Sequence, residues 1–238
     1  MEFTYNAYRS LVDLLNKGGY HFVGYCDEAS VDRAVIMRHD VDFCLSKALA
    51  MAELEHKLRV KSTYFVLLST DFYNVFSKRS NALLTEILAC GHDIGLHFDE
   101  IRYQGANLPS LCSAMVREAG LLAEAISADV KAVSMHRPSK AMLESDISLP
   151  GLVNSYSSRF FSEYKYLSDS RMRWREDVKG IVSSKEFDKL HILTHPFWYS
   201  EESETAQNKL RHFIAAAGAQ RRCYMDENFT ALNEIISG

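Results

Sequence analysis

Little in this 238-residue chain breaks it into parts: it has 4 prolines and 11 glycines, and no Pro-, Gly- or Ser-rich linker or low-complexity segment. Its five cysteines, Cys26, Cys44, Cys90, Cys112 and Cys223, are odd in number and lack a CxxC pair. They read as reduced thiols, not as a disulfide framework. Excess positive charge is missing as well. Lys and Arg number 27 against 31 Asp and Glu, a formal net charge of −4, so nucleic acid and anionic membrane surfaces are not expected partners. No apolar run approaches membrane-spanning length. The opening segment, MEFTYNAYRSLVDLLNKGGY, mixes acidic and polar residues with apolar ones, which predicts an amphipathic helix and not a signal peptide. A cytoplasmic location is the resulting expectation. What is present is core material, 47% hydrophobic residues against 24% charged, enough for a single domain over residues 1–238. Residues 1–30 form a helical segment ahead of its first barrel strand.

Strand-like apolar runs recur at Val35 to Arg38, Thr63 to Leu68, Asp93 to Leu96, Val130 to Met135, Val153 to Tyr156, Tyr164 to Leu167 and His191 to Thr194. Helical spacing of Leu, Ala and Met lies between them at Leu45 to Arg59, Ala82 to Cys90 and Ser110 to Ile126. Two further helices are expected at Thr205 to Ala217 and Asn228 to Ile236. Strands alternating with helices imply parallel strands joined by crossovers. About seven such strands predict an α/β fold, a distorted (β/α) barrel.

The polar residues cluster where the strands end. Asp40 and Asp42 follow the first run, His97 and Asp99 the third, His136 and Arg137 the fourth, Asp169 the sixth and His195 the seventh. In an α/β barrel these ends share one rim. Asp40 and Asp42 stand at i and i+2 of an extended segment, so both carboxylates leave on one face. Such a pair repels unless a cation or a shared proton compensates. Carboxylate and imidazole donors with an open position suit a catalytic divalent metal such as zinc, with iron, manganese, cobalt and nickel chemically open. Asp42 and His97 are the first two expected ligands. Asp40 is placed to be a general base and His195 a general acid, and Arg137 is a candidate to pair with Asp40 and hold its pKa low. Trp174 and Trp198 neighbour these residues and are candidates to line a sugar site. His21, His56, His92, His191 and His212 read as hydrogen-bonded structural residues.

The segments RHDVD, GHDIGLHFD, SMHRPS, SDSRMRWRE and LTHPFWY together resemble the polysaccharide deacetylases of the NodB-homology type, in the branch whose first motif reads HDVD. The resemblance runs along nearly the whole chain. It implies a distorted barrel and metal-dependent hydrolysis of an N-acetyl or related amide on a sugar. It maps the base onto Asp40, a metal ligand onto Asp42, the motif-three arginine onto Arg137 and the general acid onto His195. Asp169 and Trp174 then support the acid and shape the pocket. One departure stands out, since the family's second motif supplies two histidines four residues apart and here His97 is followed at that spacing by Ile101. The third ligand is expected from His136, with Asp99 as second candidate.

The expected activity is removal of an acetyl or formyl group from an amino sugar. Without a signal peptide the expected substrate is a small or lipid-linked precursor of a surface glycan. Two rival readings remain open: a metal-free barrel that binds a glycan or a protein, and a hydrolase of another non-peptide amide such as a cyclic ureide or imide.

Overall fold

Strands and helices alternate along the chain in the computed structural model, which describes residues 1–27 and 31–236. The order is α1 (Tyr5–Gly18), β1 (His21–Phe22), β2 (Ala34–Val41), α2 (Leu45–Lys57), β3 (Ser62–Leu67), α3 (Lys78–Ala89), β4 (Asp93–Asp99), α4 (Leu108–Ile126), β5 (Ala132–His136), α5 (Lys140–Glu144), β6 (Val153–Asn154), α6 (Ser158–Ser162), β7 (Lys165–Ser168), α7 (Val178–Ser184), β8 (Lys189–Thr194), α8 (Ala206–Asp226) and α9 (Leu232–Ile235). Residues 28–30 of the expected N-terminal segment and 237–238 at the end of the expected domain lie outside the described residues. Tertiary packing divides the chain into two compact units, residues 1–201 and 202–238. The first contains every strand among the described residues, so the barrel occupies 1–201 of the single domain expected over 1–238. The second consists of α8 and α9.

The strands pair in the order β6-β5-β4-β3-β2-β8-β7, all parallel, with the short β1 added beside β2. Seven strands curl around an interior, but β6 and β7 do not pair, which leaves a seam. The pleat sorts each strand's side chains between two compartments. On β2, Val35 and Met37 join Tyr64, Val66, Leu96 and Val133 in the main core, against Leu11 of α1, Met51 of α2, Leu84 of α3 and Met115 of α4. Alternate residues Ala34 and Ile36 face the barrel interior with Tyr25, Phe65, Ala132 and Phe160, a second and smaller core. Gly95 of β4 makes room there, because a Cβ at that position would stand 2.5 Å from the Phe65 ring.

Helix ends follow their cap residues. Thr4 accepts from the Ala7 N–H at 3.1 Å to open α1, and Gly19, with φ 81, closes it in the left-handed region. Ser77 and Asn107 cap α3 and α4 in the same way as Thr4.

β2 runs past its apolar half. Arg38, His39, Asp40 and Val41 remain in the ladder and are buried, because each polar side chain finds a partner inside the protein. The register then sets the rim. Asp40 lies opposite Phe65, Leu67 opposite His97, Asp99 opposite His136 and His39 opposite Thr194. These pairings bring the ends of β2, β4, β5 and β8 level.

Candidate active site

Three donors from three strand ends meet above the barrel interior. Asp42 Oδ1 stands 3.4 Å from His97 Nε2 and 3.4 Å from His136 Nδ1, and the two ring nitrogens are 3.2 Å apart. Among the described residues Asp42 Oδ1 is buried and accepts no hydrogen bond, which is costly for a carboxylate oxygen unless a cation meets it. An ion bonded at about 2.0–2.1 Å with near-tetrahedral angles would hold its ligand atoms about 3.3–3.4 Å apart, so the observed triangle fits a small divalent metal. The other ring nitrogen of His97 lies 2.7 Å from Ser134 Oγ. Donation from Nδ1–H to that hydroxyl leaves the Nε2 lone pair free for a metal. Burial opposes ionisation of Asp42, but the flanking His136 and His97 outweigh it and hold the carboxyl well below the usual carboxylate range. Asp99, the second candidate for third ligand, stands outside this group. It accepts from the Ile101 N–H at 3.2 Å and from Arg137 at 3.4 Å.

Asp40 is buried beside the cluster, its Oδ2 3.6 Å from His97 Nε2. The guanidinium that holds it is Arg38, not Arg137. Arg38 donates from Nε to Oδ1 and from a terminal nitrogen to Oδ2, both at 2.8 Å, in a fully buried fork. The expected Arg137–Asp40 pair is therefore corrected: Arg137 is exposed after β5 and, among the described residues, reaches only Asp99. The reason is the pleat, since Arg38 sits two residues before Asp40 on the same face of β2. Arg38 also donates to Ser134 Oγ at 2.8 Å, so one side chain braces both Asp40 and the hydroxyl behind His97. Burial works against the Asp40 carboxylate, yet Arg38 and His97 keep its pKa below the ordinary value.

His195 follows β8 and points Nε2 toward Asp42 Oδ2 at 3.9 Å. Its Nδ1 meets Asp169 Oδ1 at 2.7 Å, and its backbone N–H donates to the same carboxylate. Asp169 is fully buried and also accepts from Tyr199 Oη at 3.1 Å. Burial alone would lower the His195 pKa, but Asp169, with Asp40 and Asp42 behind it, pushes it up to about 9.

These groups open into a cavity of about 770 Å³ whose walls include Phe72, Phe161, Tyr166 and Trp198. Phe72 and Phe161 are exposed, which for large apolar rings inside a cavity points to ligand contact. Trp174 does not line this cavity and packs against the main core instead. Two consecutive left-handed residues, Arg171 at φ 59 and Met172 at φ 55, turn the chain just before it. Arg171 and Arg175 line the cavity. Sequence reasoning assigned no role to Arg38, Ser134, Tyr199, Phe72, Arg171 or Arg175. Of these, Arg38 was open to the same i, i+2 logic that paired Asp40 with Asp42.

No protein-family model matches the chain, and no curated protein matches it. Solved structures do. A chitin deacetylase of Colletotrichum lindemuthianum aligns with TM-score 0.47 and 13% identity, over 84% of this chain and 86% of that one. The catalytic domain of a peptidoglycan N-acetylglucosamine deacetylase from Eubacterium rectale aligns with TM-score 0.46 and 15% identity, over 81% and 90%. A Streptococcus pyogenes deacetylase aligns with TM-score 0.45 and 15% identity, over 59% of this chain and 66%, just under two thirds, of that one. TM-scores and identities this low leave the function to be read from the side chains themselves.

Proposed function

We propose that this chain is a metal-dependent hydrolase that removes an N-acetyl or N-formyl group from an amino sugar. The observation that carries the reading is one cavity floor holding three metal-type donors beside Asp40, gripped by the Arg38 fork, and His195, held by Asp169. Asp42, His97 and His136 would hold the ion. When bound, a divalent metal, zinc by the match to imidazole and carboxylate donors, supplies Lewis acidity at the acyl carbonyl and eases deprotonation of water.

The protein's own groups do the rest. Asp40 accepts a proton as general base, its carboxylate held in one orientation by the Arg38 fork. His195 Nε2 gives a proton to the leaving amine nitrogen. Asp169 fixes the ring through Nδ1 and stabilises its positive charge, as a buried carboxylate does for a catalytic imidazole. Phe72, Phe161 and Trp198 offer flat apolar faces to a pyranose ring.

The motif resemblance supports the choice of amino sugar. Among the described residues no helix is long and apolar enough to cross a membrane, and the five cysteines are free. Both agree with a cytoplasmic enzyme acting on a soluble or lipid-carried precursor, which is part of this proposal. The test is an acetate- and formate-release screen of the zinc-loaded protein on free, phosphorylated, nucleotide-linked and polymeric N-acyl amino sugars. Release from a small precursor is the expected result. Release from polymer alone would remove the precursor assignment, and no release from any, with metal bound, would leave a barrel that binds without catalysis.

A further inference from the structure

Three arginines line the mouth of the cavity, and none of them has a task in the hydrolytic reading: Arg137, Arg171 and Arg175. Their positions in the fold are related. Arg137 follows β5, which lies beside the edge strand β6, while Arg171 and Arg175 follow β7, the other edge. They therefore come from the two sides of the open seam. All three are exposed. Among the described residues Arg171 and Arg175 have no hydrogen bond or ion pair, and Arg137 has only the long 3.4 Å contact to Asp99. Glu176, next to Arg175, is already taken by Lys165 at 2.6 Å.

Acidic neighbours offset this group only in part: Asp99 meets Arg137 at 3.4 Å, and among the described residues no carboxylate pairs with Arg171 or Arg175. Asp40 is taken by Arg38, and Asp71 follows β3, three strands from β7 in the sheet order. A basic surface overall does not explain it either, because the chain carries a net −4.

The backbone gives a second observation. Arg137 has φ 49 and Arg171 has φ 59, both left-handed, and non-glycine residues adopt that region at a cost. Strained residues concentrate at ligand clamps, and here two arginines of one cavity share the property. Free guanidiniums are planar forks of N–H donors that match phosphoryl oxygens in charge and geometry.

Resting on the hydrolase reading above, we propose that Arg137, Arg171 and Arg175 form a receptor for a phosphoryl group on the substrate. The enzyme then acts on phosphorylated or nucleoside-diphosphate-linked N-acyl amino sugars in preference to neutral glycans. The aromatic wall takes the sugar and the seam admits the phosphorylated end.

The test compares deacylation of N-acetylglucosamine, its 1-phosphate and its nucleoside-diphosphate conjugate by the zinc-loaded wild type, an Arg171→Ala/Arg175→Ala variant and the Lys/Lys counterpart. A preference of about tenfold or more in kcat/KM for a phosphorylated form is expected, carried mainly by KM and reduced by salt. The Ala/Ala variant should lose most of that preference with its Tm unchanged, and Lys/Lys should restore part of it. The 1-phosphate and diphosphate arms tell a terminal phosphoryl group from a bridging one. Equal rates on neutral and phosphorylated sugars, or a preference that survives in the Ala/Ala variant, would overturn the receptor while leaving the hydrolase standing. If no sugar is deacylated, calorimetric binding of the 1-phosphate decides: arginine-dependent binding keeps the receptor and removes the hydrolase, and no binding removes both.

Discussion

At the end of β2, Asp40 and Asp42 look into an open cavity, with Arg38 buried behind them on the same face. On the opposite face of the same strand, His39 looks into a sealed pocket around Glu55 of α2. Both regions are buried and charged, yet they are finished differently. Glu55 accepts from Tyr8, from Ser62 Oγ at 2.5 Å and from Tyr64 Oη at 2.7 Å, and lies 2.9 Å from His39 Nε2. His39 Nδ1 meets Thr194 at 2.7 Å and His92 meets Ser62 at 2.9 Å, so the network ties β2 to β8 and to α2 with its donors and acceptors met. Burial would raise the Glu55 pKa, but His39 and its neighbours bring it down to about 2. On the interior face the accounting stays open, with Asp42 Oδ1 unpartnered and two ring nitrogens turned toward it. A saturated buried network stiffens a fold, whereas an unsaturated one facing a cavity is waiting for a ligand.

The two faces should separate under mutation. Asp40→Asn keeps shape and removes the base, so kcat should fall by about 10²–10⁴ with the metal retained, as steady-state rates and metal analysis would show. Glu55→Gln should do the reverse, lowering unfolding free energy by about 3–5 kcal/mol in urea because it breaks a buried charge network, while the folded fraction keeps its metal. Asp40→Asn also leaves the buried Arg38 guanidinium short of its counter-charge and loses stability too. The distinction therefore lies in the rate, and an equal loss of kcat in the folded fraction of both variants would erase it. A finer cut falls within the interior face. His136→Ala should weaken zinc affinity by about 100-fold or more in competition titration, and Asp99→Ala should leave it unchanged; the opposite ranking would move the third ligand to Asp99.

A separate, pH-dependent effect concerns His191, which lies in the barrel interior and meets Tyr25 Oη at 2.6 Å. Burial, with Arg38 nearby, holds its pKa at about 3 against an ordinary 6.5. The unfolded chain thus takes up a proton that the fold refuses between those values. The stability this imidazole contributes is complete above about pH 6.5 and is lost as pH falls toward 3. Unfolding free energies from urea titrations across that window should fall less steeply with falling pH in His191→Gln, by up to about 1.4 kcal/mol per pH unit. Identical slopes would mean that His191 is protonated in the fold.

Much of this was legible in the chain. Alternating runs marked the parallel strands, and chemistry at strand ends singled out Asp40, Asp42, His97, His136 and His195, which the fold brings to one cavity. Arg38 escaped because a guanidinium beside an apolar run reads as the point where a strand reaches solvent, although the pleat puts it on the Asp40 face. Glu55 was hidden more deeply. Helical spacing marks it as one polar residue among several on α2, and only the packing of α1, α2 and β3 reveals that it is enclosed. Trp174 lies off the cavity wall because Arg171 and Met172 turn the chain before it, and neither is a residue type that signals left-handed backbone.

On the proposed chemistry Asp42, His97 and His136 would hold a single hydrolytic metal. Elemental analysis of purified wild type beside Asp42→Ala, both prepared without chelator, tests it most directly. About one equivalent of transition metal in the wild type, absent from the variant, is the predicted result. A wild type that carries none and takes up none on titration with zinc, iron, manganese, cobalt or nickel would contradict it.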